Sequence, residues 1–186
     1  MTIETALPAG AYQALFESAP GLYLVLTREF TIVAVSAAYL EATKTNRDTI
    51  IGRGIFEIFP DNPNDPEATG VRNLRESLQR VVATGRGDAM AVQQYDIRRP
   101  DSEGGGFEER FWSPFNKPVL TEAGAVSYII HRVEDVTEFI RLKRRGTEQQ
   151  ELNEQLRTRA EKWNPRFSSG PRRLGKPTAS CANWTG

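Results

Sequence analysis

Residues 110–138 read RFWSPFNKPVLTEAGAVSYIIHRVEDVTE, and their order decides the fold. Two extended segments are joined by a tight turn, and the second runs into a helix with no loop between them. In FEERFWSPFNKPV (107–119), Phe107, Phe111 and Phe115 share one face while Glu108, Arg110 and Trp112 share the other, the period-two alternation of a strand. LTEAG is the turn, and AVSYIIHRV (125–133) is the second strand. Asp135 followed three residues later by Glu138 is an aspartate version of the capping box: Asp135 accepts a free N–H at the helix start and Glu138 reaches back.

Upstream, DAMAVQQYDIRR (88–99) is a further extended segment, joined to 107–119 by the hairpin loop PDSEGGG. Before it stands an amphipathic helix in which Val71, Leu74, Leu78 and Val81 recur at three and four residues until Gly85 stops it. Residues 45–70 hold three prolines and three isolated glycines, and allow only short helical turns around IIG and IFEIF. The strands LYLVLT (22–27) and TIVAVS (31–36) form a hairpin, with Ser36 capping the helix AAYLEATK. A short helix carrying Tyr12, Leu15 and Phe16 precedes them and ends at SAPG. The expectation is an α+β fold, a five-stranded antiparallel sheet with helices packed on one side.

Downstream of the capping box, residues 138–163 repeat at heptad spacing through Phe139, Leu142, Gly146, Gln149, Asn153, Leu156, Ala160 and Trp163. The stripe is apolar at its ends and small or polar in its middle, which predicts a weak coiled coil that pairs best with a partner helix. Residues 164–186 are rich in Pro, Gly and Ser, with Arg166, Arg172, Arg173 and Lys176 as their charges, and are expected to be disordered.

The whole chain, at 186 residues, has room for one full core with an extension. Its net charge is zero, with no clustered basic excess, so no nucleic-acid footprint is expected. Lys143, Arg144 and Arg145 read as the solvated face of the long helix. The N-terminus carries Glu4 and no apolar core, and no apolar run is long enough to span a bilayer, so a cytoplasmic protein without a membrane segment is expected. The lone Cys181 fits a reducing compartment.

This order of elements resembles the PAS sensory domain family, of the type found in bacterial sensor histidine kinases. ALFESAPGLYLVL, IIGRGIFEIFPD and RFWSPFNKPVLTEAGAVSYIIHRVEDVTE carry the likeness, over roughly residues 10–140. Ser36 stands where many members have asparagine, and can cap in its place. The resemblance implies a tail (1–9), a PAS domain (10–137), a signalling helix (138–163) and the basic tail (164–186). It also implies a small ligand or partner bound between sheet and helices, a homodimer through the C-terminal helix, and a signal passed along that helix. Asp135, Thr137 and Glu138 would be the relay junction. Phe56, Phe59, Phe111, Trp112 and Phe115 are candidates for the cavity lining, with core packing as an equal explanation.

His131, the only histidine, tests several chemistries. A kinase phosphoacceptor needs an exposed helical position, and His131 lies in a strand. Haem-binding relatives use a histidine on the long helix, and residues 71–84 have none. Zinc needs three or four ligands. His131 is therefore expected to be a bystander, solvent-facing or packed on the sheet. Flavin-cysteine photochemistry needs a cysteine between 37 and 84, where none occurs. GRGIFE (52–57) lacks the third glycine of a dinucleotide loop, and EGGG (103–106) is a hairpin turn. Neighbouring carboxylates such as Glu108 and Glu109 point to opposite faces and cannot act as a catalytic pair.

The expectation is thus a sensory module without catalytic activity, its cofactor unidentified. The alternative is the truncated N-terminal sensor region of a two-component histidine kinase, because the composition changes abruptly at Asn164. A small cavity enzyme is the third reading, for which the sequence offers no convergent set of polar groups.

Overall fold

A computed structural model of the chain describes residues 7–163. Most of the predicted tail 1–9 and the whole predicted disordered segment 164–186 lie outside the described residues. The chain divides into two compact units after Arg141, four residues beyond the boundary expected from the sequence.

Helix α1 (Ala9–Glu17) leads into β1 (Leu22–Leu26) and β2 (Ile32–Val35), followed by α2 (Ala37–Thr43) and the single turns α3 (Arg47–Ile50) and α4 (Ile55–Ile58). Helix α5 (Gly70–Thr84) ends on Gly85, whose φ of 62° is the left-handed conformation glycine tolerates best. The remaining strands are β3 (Asp88–Ala89), β4 (Gln93–Gln94), β5 (Ile97–Arg98), β6 (Phe107–Glu108), β7 (Phe111–Leu120) and β8 (Val126–Asp135), and α6 spans Thr137–Trp163. The main sheet is antiparallel in the order β2-β1-β8-β7-β3, with β4 also on β7, and β5 and β6 form a separate ladder.

Two predicted strands are broken, so the main sheet has six strands where five were expected. Ala89 pairs with Phe115 but Gln93 pairs with Trp112, so four steps along one chain match three along the other. That is one extra residue, a bulge. Its position follows from Pro114. The Met90 N–H donates to the Pro114 carbonyl at 3.0 Å, so Pro114 turns its backbone polar groups towards β3 and β4. The missing proline donor therefore falls where the ladder is interrupted, and Pro118, with the same parity, meets the side beyond the end of β3.

Core burial fixes which face of β7 points inward. Trp112 and Asn116 are buried, whereas Phe115 is exposed. Trp112 belongs to the core cluster that holds Leu24 and Leu26 of β1, Ile129 and Val133 of β8, and Leu78 and Val81 of α5. Burying each of those large side chains stabilises the fold by about 2 kcal/mol. Ser36, fully buried, caps α2 as expected by accepting the Tyr39 N–H. It also accepts the Tyr23 N–H at 3.0 Å and donates to the Gly21 carbonyl at 2.8 Å, tying the cap to the sheet.

Strand β8 continues to Asp135, two residues further than predicted, and α6 begins at Thr137. Only half of the expected capping box forms. The Thr137 N–H donates to Asp135 Oδ1 at 2.9 Å, but Glu138, instead of reaching back, accepts from Arg141 Nη1 at 3.0 Å. Asp135 stands opposite Trp112 at the end of the β7–β8 ladder, but the backbone polar groups of Trp112, like those of Pro114, face β4, so the two are register neighbours without a hydrogen bond between them.

Candidate functional site

Between the inner face of the sheet and helices α2, α4 and α5 lies a cavity of about 60 Å³. Tyr39, Ile55, Leu74, Pro114 and Val133 supply most of its apolar wall, and His131 is among the few polar side chains on it. The volume suits a few waters or a small organic group, well below the usual ~300 Å³ or more of a cofactor pocket.

The five aromatic candidates for the cavity lining separate. Phe59 and Trp112 do line it. Phe56 instead packs edge-on against Phe30, with the Arg75 guanidinium 4.0 Å above its ring. Phe111 faces the opposite side of β7 from Trp112, and its backbone serves the β8–α6 junction. Phe115 lies on the outer face of the sheet beside Gly87. Tyr39 and Tyr95 were not foreseen. The Tyr95 ring rests against Gly70, where a Cβ would lie 2.3 Å away. Its hydroxyl donates to the Pro60 carbonyl at 2.9 Å, and its carbonyl accepts the Trp112 indole N–H at 2.8 Å, so Tyr95 holds the wall closed.

His131 is packed on the sheet, one of the two placements expected, and it stands on the cavity wall, only 3% exposed. Asn116 lies directly opposite it on β7, and Asp88 directly opposite Asn116 on β3. His131 Nδ1 is 2.7 Å from Asn116 Oδ1. Asn116 Nδ2 donates to Ser77 Oγ of α5 at 2.7 Å, and Ser77 Oγ donates to Asp88 Oδ2 at 2.5 Å. Asp88 is gripped from the surface by Arg80 Nε at 3.1 Å and Nη2 at 2.9 Å. Asn116 and Ser77 are fully buried, so a continuous polar row crosses the core from cavity wall to surface.

Its electrostatics follow from position. Burial pushes the His131 imidazole down to about 4, keeping it neutral. The bonds from Arg80, then Ser77, hold the Asp88 carboxyl below its ordinary value. Burial raises the Tyr39 hydroxyl strongly, so it stays protonated; its ring meets His131 edge-on at 6.4 Å. The signal that pointed to this row was the position of His131 between Ile129 and Val133, both apolar and of the same parity. Ser77 likewise falls on the Leu74–Leu78–Val81 face of α5.

The junction residues do converge. Arg110 Nη1 donates to Asp135 Oδ2 at 2.5 Å, and Arg110 Nη2 pairs with Glu108 at 2.9 Å. Thr137, 3% exposed, accepts the Phe111 N–H on Oγ1 at 2.9 Å, while the Val136 N–H donates to the Phe111 carbonyl at 2.9 Å. Burial works to raise the Asp135 carboxyl, but the bonds from Thr137 and Arg110 outweigh it and hold the group below its usual range. Glu138 stands apart, its side chain 75% exposed. Among the described residues no cluster of three or more His, Cys, Asp or Glu could hold a metal, and no helix is long and apolar enough to cross a membrane.

An antiparallel sheet covered on one face by helices, a walled cavity and a last strand running into a helix define a cavity-bearing α+β domain. Residues 16–141 match the family model described as the PAS fold, and the chain belongs to the PAS family. Similar solved structures include an RNA-binding light-oxygen-voltage receptor, with TM-score 0.56 and 17% identity over 84% of this chain and 42% of that one. The PAS domain of Bordetella pertussis BvgS has TM-score 0.51 and 21% identity over 76% of this chain and 96% of its own. A PAS domain from Colwellia psychrerythraea has TM-score 0.52 and 10% identity over 69% and 97%. At such identities the likeness is one of fold. This chain therefore spans less than half the length of the light-oxygen-voltage receptor it resembles. No curated protein sequence matches it.

Proposed function

We propose that this chain is a cytoplasmic sensory module, without catalytic activity of its own, that takes a small molecule in the cavity and relays its arrival through β8 into α6. The observation that carries the reading is on one strand: His131, on the cavity wall, and Asp135, at the helix start, are four residues apart on β8. Residues of the same parity share a face of a strand, so a shift at one is felt at the other without an intervening loop.

The output would be paired helices. Phe139, Leu142, Leu152 and Leu156 are exposed on α6, and a homodimer would cover such a stripe. Amide hydrogen exchange at residues 137–141 tests the relay. Filling the cavity with the variant Val133→Phe is expected to change protection there, and Asp135→Ala combined with Thr137→Ala is expected to uncouple the two. Identical exchange with and without the junction substitutions would sink the relay.

A further inference from the structure

The row from Asp88 to His131 has a direction, and the direction is set at its surface end. Ionised Asp88 can only accept, so Ser77 must donate its single hydroxyl proton to it. The Ser77 oxygen is then an acceptor, and Asn116 must present its amide N–H to it, which it does at 2.7 Å. Asn116 therefore turns Oδ1, also purely an acceptor, to His131. The proton of the neutral imidazole must sit on Nδ1, and Nε2 at the ring tip keeps a bare lone pair. Among the described residues no group hydrogen-bonds to Nε2, nor to the hydroxyl of Tyr39, whose ring centre lies 6.4 Å from that of the imidazole.

We propose that Asp88 is a specificity-determining positioning residue: through Ser77 and Asn116 it fixes the tautomer of His131, so that the cavity selects an uncharged occupant that donates a hydrogen bond, such as an alcohol or a primary amide. This rests on the cavity being the sensory site. An occupant that only accepts meets the lone pair of Nε2 head-on, and turning Nε2 into a donor would require rotating the Asn116 amide and reversing Ser77 away from Asp88. A cation is disfavoured by the apolar wall. The apolar body of the occupant would lie against Ile55, Leu74 and Val133.

A single histidine makes the test direct, because the imidazole ¹⁵N spectrum holds one pair of side-chain signals. At neutral pH the wild type is expected to favour the Nδ1–H form by at least about tenfold, the worth of one net hydrogen bond. Asp88→Asn can offer an N–H to Ser77 and let the whole row reverse, so the ratio is expected to fall to within about threefold of unity or invert. Ser77→Ala, which frees the Asn116 amide, is the second variant and is expected to loosen the ratio likewise. A dominant Nε2–H form in the wild type, or an unchanged ratio in both variants while their amide spectra stay folded, overturns the proposal. Titration with ethanol, a donor, and acetonitrile, of similar size without one, then tests selectivity: only ethanol is expected to move Nε2. The Trp112 indole signal reports entry of either probe. No entry by either overturns the sensory-cavity reading, whereas entry of both with an indifferent Nε2 overturns this one alone.

Discussion

The cavity row and the strand–helix junction are both polar constellations on β7 and β8, yet they are built in opposite ways. The junction is local: Asp135, Val136 and Thr137 are consecutive, and each makes its bond to Arg110 or Phe111 directly across the ladder. The row is assembled from four elements, with Asp88, Asn116 and His131 brought level by strand register and Ser77 supplied by a helix. At the junction the Arg110–Asp135 pair is partly exposed, so water can reach either group if its partner is lost, and only the bond between the Phe111 N–H and Thr137 is buried. In a row whose middle members are fully buried, the loss of one strands its neighbours.

The largest difference between the two is expected from Asn116→Leu. It leaves the His131 Nδ1–H and the Ser77 hydroxyl without one partner each in the core, and should lower stability by about 3 kcal/mol. Urea unfolding measures it. If the loss is under about 1 kcal/mol, the row contributes no more than a surface contact. Adding His131→Leu should recover part of the loss, since removing both partners costs less than removing one.

Acid should sharpen the contrast. The His131 pKa, about 4 in the folded protein, lies below the ordinary 6.5, so between those values the unfolded chain binds the proton first. Stability from this group is therefore complete above pH 6.5 and lost as pH falls towards 4, by about 3 kcal/mol in all. A His131→Leu variant should be flat across that window. Asp135 and Asp88, whose folded values lie below the ordinary 3.8, lose their contribution at lower pH. A wild type equally stable at pH 7 and pH 4.5 would contradict burial of a neutral imidazole.

The junction was legible in the sequence because its signals are adjacent: a carboxylate before a helix and a β-run ending against it. What misled was Glu138, whose carboxylate pairs with Arg141 one turn along the helix instead of reaching back to Asp135. The β1–β2 and β7–β8 hairpins were legible for a similar reason, since hairpins follow from short turns, whereas the pairing of β1 with β8 joins distant segments and was not. The cavity row was not, because nothing in one strand states which residue of another will stand opposite. Choosing by aromatic content alone kept Phe59 and Trp112 but also drew in Phe56, Phe111 and Phe115, whose sides are set by strand parity and helix packing. The chemistry of a lone histidine left its side of the strand open, and its parity with Ile129 and Val133 was the better guide to its place on the cavity wall.

At the junction itself, Thr137→Val keeps shape and burial but removes the acceptor of the Phe111 N–H, and about 1.5 kcal/mol of stability should go with it. Protection of the Phe111 amide from hydrogen exchange reports the loss at its source. Protection equal to the wild type would show that another acceptor takes over, and Thr137 would then be a packing residue alone.

Glu138→Gln should do least. Its pair with Arg141 is an i,i+3 contact with the carboxylate largely in water, where such a pair is worth about 0.3 kcal/mol and fades with salt. Arg141 has a second anchor, donating from Nη2 to the Glu109 carbonyl at 3.3 Å, so the first turn of α6 keeps a tie to the strand end when Glu138 is neutralised. The comparison turns on this residue, because the capping-box reading makes Glu138 a structural partner of Asp135 while the structure makes it a surface charge. Thermal unfolding at low and at high salt separates the two. A surface pair predicts a difference from wild type that is small at low salt and absent at high salt. A loss of about 1 kcal/mol that persists at high salt would restore the reciprocal cap, and would mean that Glu138 exchanges its bond with Arg141 for one to the backbone N–H of Asp135.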